Sequence, residues 1–217
     1  MNYLDIYQQS IKQPELFWRE QAEQIKWYEL PETILSQDEH GLYRWFSGGK
    51  LNTSYLALDV HIEEGRGAQL AMIFDSPATD SQQKFTFIEL RDKVANFAGG
   101  LKTLGVEKGD RVIIYMPMVP EAAIAMLACA RLGAVHSVVF GGFAPNELAV
   151  RIDDAKPKVL LTASCGIEFS RVIEYKPLVD QALEIAEFPP KNIVVLQRQQ
   201  AQAKMKSGQD HDWNELV

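Results

Sequence analysis

The sequence predicts an α/β protein in which a mostly parallel sheet is flanked by helices. Two observations support this class. First, several apolar runs have the length of strands and are apolar on both faces, as in RVIIYMP, PKVLLTAS and NIVVLQ. Such strands are typical of parallel sheets that are covered on each side. Second, helical patterns separate these runs along the chain, which is the order expected of βαβ units.

Residues 1–60 are predicted to form a helical N-terminal extension that precedes the α/β part. This region is rich in Trp, Tyr, Gln and Glu and has little strand patterning. Pro14 breaks or starts a helix, and Asn52 is suited to cap a helix over about 53–61. Residues 61–217 are predicted to be the first α/β part of a larger domain. That domain is expected to be incomplete, because the sequence stops without a closing helix or strand.

The α/β part begins with a predicted strand over 69–76. A helix follows in which apolar residues recur at intervals of three and four, and Gly105 ends it. The tail from 197 onward is polar and carries no strong pattern. The elements predicted between this helix and the tail are a strand over 111–117, a helix over 120–133, a strand over 134–142, a helix over 145–155, a strand over 157–164, a helix over 176–188 and a strand over 192–197.

Composition excludes several classes of protein. The net charge is -7 and no block of Lys and Arg is present, so we expect no nucleic-acid partner. No apolar run approaches the roughly 20 residues of a spanning helix, so we expect no membrane association. Cys129 and Cys165 form neither a disulfide framework nor a zinc motif. Together with the lack of a signal peptide, this predicts a cytoplasmic protein, and the oligomeric state stays open.

Two motifs that suggest catalysis are incomplete. Gly100 and Gly105 have the spacing of a phosphate loop, but they lie at a helix C-terminus, where anions are disfavoured. Ser164-Cys165-Gly166 follows a strand, yet a nucleophile elbow needs a second glycine where Thr162 stands. The sequence therefore predicts no catalytic residue and no metal ligand within this chain.

Two strand ends are candidate ligand sites. Gly141 and Gly142 connect a strand to a helix at the carboxyl edge of the sheet, where ligands of open α/β sheets bind. A plain short loop is an equally good interpretation there. After the strand over 157–164, Arg171 carries donors suited to phosphate, and Phe169 is suited to pack against a base. Glu168 would accept from an amino or hydroxyl group. The alternative is a surface ion pair between Glu168 and Arg171.

Two segments of the sequence, taken together, resemble a known protein family. The first reads WFSGGKLNTSYLALDVH, and the second runs from FTFIELRDKV to TASCGIE and includes YMPM, GAVHSVVFGGF and RIDDAKPK. Over about residues 45–197 the chain resembles the N-terminal part of the acetyl-CoA and propionyl-CoA synthetases. These are AMP-forming acyl-CoA ligases of the adenylate-forming superfamily. Residues 1–60 resemble the helical extension of the short-chain members.

The resemblance implies a two-step reaction. A short-chain carboxylate reacts with ATP and Mg²⁺ to give an acyl-adenylate and diphosphate, and the thiol of the co-substrate coenzyme A then displaces AMP. The partners implied are these small molecules. The family's phosphate loop, acyl pocket and catalytic lysine have no counterpart in the 217 residues. We therefore expect ATP and Mg²⁺ to be bound mainly by parts outside this chain, and the chain alone to be inactive.

The resemblance also implies a coenzyme A contact in the turn after the strand over 157–164. Arg171 matches an arginine of that turn, and Glu168 stands where acetyl-CoA synthetases have another arginine. Phe169 and Ser170 belong to the same turn, and Gly141 and Gly142 are implied as its neighbouring wall. The charge reversal at Glu168 resembles the propionyl-CoA synthetase branch. Acetyl-CoA synthetase is the alternative, and a stand-alone nucleotide- or protein-binding module is an alternative of another class.

Overall fold

A computed structural model describes residues 2–142, 144–168 and 171–217. The chain divides into two compact units, Met1–Asn52 and Thr53–Val217. Within the described residues, no helix is long and apolar enough to cross a membrane.

The first unit contains two helices and a β-hairpin. Helix α1 spans Tyr3–Lys12 and α2 spans Pro14–Ala22. Strands β1 (Thr33–Gln37) and β2 (Tyr43–Ser47) pair antiparallel. Pro14, which was predicted to break or start a helix, is the first residue of α2. The hairpin was not predicted, because its strands are only five residues long each and a single residue of the two, Ile34, is fully buried, so they show no apolar alternation.

The second unit starts with wide-turn helical segments over Tyr55–Asp59 and Ile62–Arg66. The first of them lies within the helix predicted over about 53–61, and the second lies beyond it. Strand β3 (Leu70–Ser76) was predicted, but it pairs antiparallel with β4 (Ser81–Thr86) in a separate two-stranded sheet. The pair leads directly into the helix that contains the three-and-four apolar spacing.

The rest of the second unit alternates strands and helices. Its elements are α3 (Phe87–Thr103), β5 (Arg111–Tyr115), α4 (Pro120–Leu132), β6 (Val135–Val138), α5 (Pro145–Ala155), β7 (Val159–Ala163), β8 (Cys165–Glu168), β9 (Arg171–Glu174), α6 (Tyr175–Ile185), β10 (Asn192–Leu196), β11 (Asp210–Asp212) and a 3-10 turn (Trp213–Glu215). Five of these strands form one sheet in the order β11-β10-β7-β5-β6, and all neighbours in it are parallel. The predicted α/β class is confirmed.

Each face of the sheet carries its own hydrophobic core. In β5, Val112 and Ile114 join the core that includes residues of α3 and α4. Ile113 and Tyr115 join the core that includes residues of α5 and α6. This alternation follows from the two-residue period of a strand. Because both faces are covered, the strands are apolar on both sides, as the sequence pattern indicated.

The polar tail adds a fifth strand that was not predicted. Strand β11 pairs with β10 and so covers that edge of the sheet. Trp213 follows β11 and stacks on Phe97 of α3, with ring centroids 3.6 Å apart. The tail is therefore an integral part of the core, although the sequence of β11, DHD, contains no apolar residue.

Candidate functional site

A cavity of about 970 Å³ opens at the carboxyl ends of β5 and β6. The strand order reverses between β5 and β7, because the chain passes from β5 to β6 on one side and then returns to β7 on the other. Crevices at such reversal points are the usual ligand sites of open α/β sheets. Residues 116–120 and 138–142 line the cavity, and residues 72–79 of the β3–β4 pair form another wall.

Tyr175, the first residue of α6, lines one wall of the cavity. Its ring is almost fully buried, and its centroid lies 5.1 Å from that of the fully buried Tyr115. Burial, with smaller contributions from Tyr175 and Glu168, raises the pKa of Tyr115 to about 12. Burial and then the charge of Glu168 also raise the pKa of Tyr175. Both phenols are therefore neutral at physiological pH.

Two glycines remote in sequence make room for this tyrosine. A Cβ atom on Gly141 would lie 2.3 Å from Oη of Tyr175, and one on Gly166 would lie 2.7 Å from its Cε1. Contacts this short do not occur between real side chains, so both positions require glycine while the ring stays in place. Gly142 is similarly close to Phe140, at 2.7 Å from Cε1. Gly141 and Gly142, both predicted as site residues, do line the cavity.

The stretch after β7 is a β-hairpin, which corrects the expectation of a loop leading to a helix. Strands β8 and β9 pair antiparallel, with Glu168 directly opposite Arg171. Glu168 lines the cavity, whereas Arg171 is exposed and is not among the described lining residues. Phe169 and Ser170 lie outside the described residues. The predicted turn therefore brings one of its two charged residues to the cavity.

The alternative interpretation, an ion pair between Glu168 and Arg171, is not supported. The two residues face each other in the hairpin. Nevertheless, the ion pairs found in the described part of the chain do not include this one. Glu168 instead lies close enough to Tyr115 and Tyr175 to raise the pKa of both phenols.

Arg198 is a cavity residue that sequence reasoning missed. It follows β10 at the carboxyl edge of the sheet and lines the cavity. Its backbone N–H donates to Oγ of Ser164 at 2.8 Å, and its Nη1 donates to the carbonyl of Cys165 at 2.9 Å. The available signal was a basic residue two positions after a buried strand, NIVVL, on the sheet edge where ligands bind.

The cavity combines an apolar surface with a few charges. Its charged lining side chains, among the residues described, are Asp75, Glu168 and Arg198. Apolar side chains such as Met116 and Ile167 supply contact area for a ring or an alkyl chain. The arginine is suited to a phosphate or carboxylate, and the two carboxylates are suited to hydroxyl or amino groups. No described group of three or more His, Cys, Asp or Glu residues is arranged to hold a metal ion.

Comparison with protein families gives two matches that together cover nearly the whole chain. Residues 63–216 match the family model described as AMP-binding enzyme. Residues 3–57 match the model described as acetyl-coenzyme A synthetase N-terminus.

Individual relatives agree with these matches. The human mitochondrial acyl-CoA synthetase short-chain family member 3 is 49% identical over 95% of this chain and 30% of its own length. The propionate–CoA ligase of Escherichia coli is 43% identical over 100% of this chain and 34% of its own length. The acetoacetyl-CoA synthetase structure from Streptomyces lividans superposes with a TM-score of 0.87 at 24% identity, covering 100% of this chain and 33% of that one. The chain thus spans about a third of the length of the curated relatives it matches.

Proposed function

The chain belongs to the family of AMP-binding enzymes, and on that premise we propose that it is part of a propionate–CoA ligase. The full-length enzyme, meaning the polypeptide at the length of its relatives, would join a short-chain carboxylate to coenzyme A with cleavage of ATP to AMP and diphosphate. The identities to a propionate–CoA ligase and to a short-chain acyl-CoA synthetase support this choice. Acetate is the alternative substrate. We also propose that residues 1–60 are a helical N-terminal extension and that residues 61–217 are the first, incomplete α/β part of the AMP-binding domain; the two compact units divide at 52 instead.

The observation that carries the placement of coenzyme A is the cavity at the carboxyl edge of the sheet. We propose that it holds part of coenzyme A, with Gly141 and Gly142 allowing close approach to the backbone. Glu168 would accept a hydrogen bond from a hydroxyl or amino group of that ligand. Arg171 would meet a phosphate from its exposed position on the hairpin. The neighbouring Phe169 and Ser170 are proposed as contacts on sequence grounds alone.

The residues of this chain would bind and orient rather than react. Placing the coenzyme A thiol against an acyl-adenylate gains rate by proximity, which demands a fixed binding wall. Tyr175 provides such a wall, because it is buried between Gly141 and Gly166. Mg²⁺ would neutralise charge on the ATP phosphates when bound. The described residues offer no ligand cluster that fits it, and we assign none of them to ATP or Mg²⁺.

The partners proposed for the enzyme are small molecules, and its proposed location is the cytoplasm. Both cysteines are free and buried, which suits a reducing compartment. The human relative named above is mitochondrial, so the compartment differs between members of the family.

ATP–diphosphate exchange tests the proposal. We expect the full-length enzyme to exchange label between diphosphate and ATP when propionate is added, and less efficiently with acetate. The 217-residue chain alone should show no exchange. Absence of exchange and of acyl-CoA formation with every short-chain carboxylate would refute the assignment for the full-length enzyme. Exchange by the chain alone would refute its proposed role as a binding part.

A further inference from the structure

Arg198 occupies a position that the proposed function does not yet use. We propose that Arg198 binds a phosphate group of coenzyme A inside the cavity. This inference rests on the proposed function, and it gives the cavity a phosphate contact distinct from Arg171. Arg198 is a cavity-lining residue, while Arg171 is exposed and does not line the described cavity.

The first argument is the anchoring of the side chain. The backbone N–H of Arg198 donates to Oγ of Ser164, which directly follows β7. Its side-chain Nη1 donates to the carbonyl of Cys165 in β8. A guanidinium group has five N–H donors in a fixed plane. One of them is used by Cys165, and the orientation of the others is fixed as a consequence. Binding an anion to a group already held in place costs less side-chain entropy than binding it to a mobile arginine.

The second argument is the charge distribution around the cavity. Of the described side chains that line it, Arg198 is the basic one, opposed by Asp75 and Glu168. The charge of Arg198 acts on Tyr175 in the opposite direction to that of Glu168. Both charges therefore lie near enough to Tyr175 to act on its pKa. An anionic group of the ligand is expected beside Arg198, and hydroxyl or amino groups beside Glu168.

The third argument is size. A cavity of about 970 Å³ has the dimensions of a site for a large organic ligand, at the upper end of the range of roughly 300–1,000 Å³. A short-chain carboxylate alone would fill little of it. A nucleotide with its phosphates matches both the volume and the mixed apolar and charged lining. This is why we assign Arg198 to coenzyme A rather than to the carboxylate substrate.

Three assays on the full-length enzyme test this assignment. Arg198→Met keeps much of the apolar stem and removes the charge. Because a charge-assisted hydrogen bond is lost, we expect KM for coenzyme A to rise about ten- to a hundredfold. Propionate-dependent ATP–diphosphate exchange should stay unchanged. KM for pantetheine, which has the thiol arm but no phosphate, should also stay unchanged, and Arg198→Lys should restore part of the affinity for coenzyme A.

Arg111→Met is the matched control. Arg111 also donates to backbone carbonyls, those of Ala155 at 2.8 Å and Lys156 at 3.0 Å, but it stands at the amino end of β5, away from the cavity. We expect it to leave all three assays unchanged. If Arg198→Met does not fold, KM for coenzyme A and KM for pantetheine are compared in Arg198→Lys instead, which is the smaller change.

Several results would overturn the inference while leaving the proposed function intact. An equal rise in KM for coenzyme A and pantetheine would mean that Arg198 only supports the hairpin. An unchanged KM for coenzyme A would remove Arg198 from the site. A rise in KM for ATP or propionate in the exchange reaction would assign it to another anion. Failure of the proposed function itself would show as loss of exchange and of coenzyme A acylation in the unmodified enzyme.

Discussion

Among the charged residues described, we expect replacement of Lys176 to lower the stability of the protein most. Its side chain is 2% exposed, and Nζ lies 2.6 Å from Oδ1 of Asp180 and 2.9 Å from Oδ2 of Asp210. The Asp210 side chain is completely buried, and its Oδ1 has no hydrogen-bond partner among the described residues. Asp210 lies in β11, so this ion pair connects α6 to the edge strand of the sheet.

The change Lys176→Met removes the cation and leaves Asp210 as an uncompensated buried charge. Breaking a buried pair in this way costs about 3–5 kcal/mol. A backbone N–H from Lys206, at 2.7 Å, still reaches Oδ2 of Asp210 and offsets a part of that cost. For a unit of this size, about 1 kcal/mol corresponds to a shift of roughly 2–4 °C in Tm. We therefore expect Tm to fall by about 6 °C or more, measured by thermal melting at pH 7 and checked by urea unfolding.

Lys206→Met is the matched control. Its Nζ lies 3.0 Å from Asp180, but the side chain is half exposed, so the pair is worth only about 0–1 kcal/mol. The double variant Lys176→Met with Asp210→Asn should recover part of the loss, because the uncompensated charge is gone. The reasoning is refuted if Lys176→Met lowers Tm no more than Lys206→Met does.

Two further predictions concern Asp59 and Gly141. Hydrogen bonds from Arg131 at 2.8 Å hold the pKa of Asp59 below its usual value, so the pair stabilises the protein above about pH 5 and this contribution is lost as the pH falls through the lowered pKa. Below about pH 5, the free energy of unfolding measured in urea should therefore fall less steeply with decreasing pH in Asp59→Asn than in the unmodified protein. Parallel curves for the two proteins would contradict this. Gly141→Ala should lower Tm and, under the proposed function, raise KM of the full-length enzyme for coenzyme A, because its Cβ would overlap Tyr175, whereas Gly99→Ala, which meets nothing within 4 Å, should be neutral or stabilising. Equal effects of the two alanines would argue against the contact.

The central sheet and its helices could be predicted because their signals are local. Helix α4 begins at Pro120 and is followed by Gly133 in the left-handed conformation, at φ 71, as the sequence indicated. Helix α5 has the predicted bounds, Pro145–Ala155. Proline at a helix start and glycine after its end act through the backbone of a single residue. These two signals can therefore be recognised without knowing the tertiary structure. The strands between the helices can be recognised because burial on both faces makes them apolar throughout.

The elements that were missed depend on partners distant in sequence or on polar residues. Strand β11 has no apolar residue and owes its place to pairing with β10 and to the charge of Lys176. Arg198 reaches Cys165, 33 residues away, so no local pattern marks it. The same limit applies to Tyr175, whose role follows from two glycines, one in the turn after β6 and the other in β8. The sequence indicated Gly141 and Gly142 as a place for a ligand, but not the aromatic residue that makes glycine necessary.

The triplet Ser164-Cys165-Gly166 shows why side-chain chemistry alone misleads at such a site. Its serine could be taken for a nucleophile, yet each of its residues has a structural task. Oγ of Ser164 accepts the backbone N–H of Arg198, the carbonyl of Cys165 accepts Nη1 of the same arginine, and Gly166 leaves room for Tyr175. Replacing Ser164 or Gly166 would displace the arginine or the ring, whereas Cys165 acts through its backbone carbonyl, which a substitution leaves in place. Under the proposed function, the triplet therefore contributes to catalysis only by holding the wall against which coenzyme A is oriented.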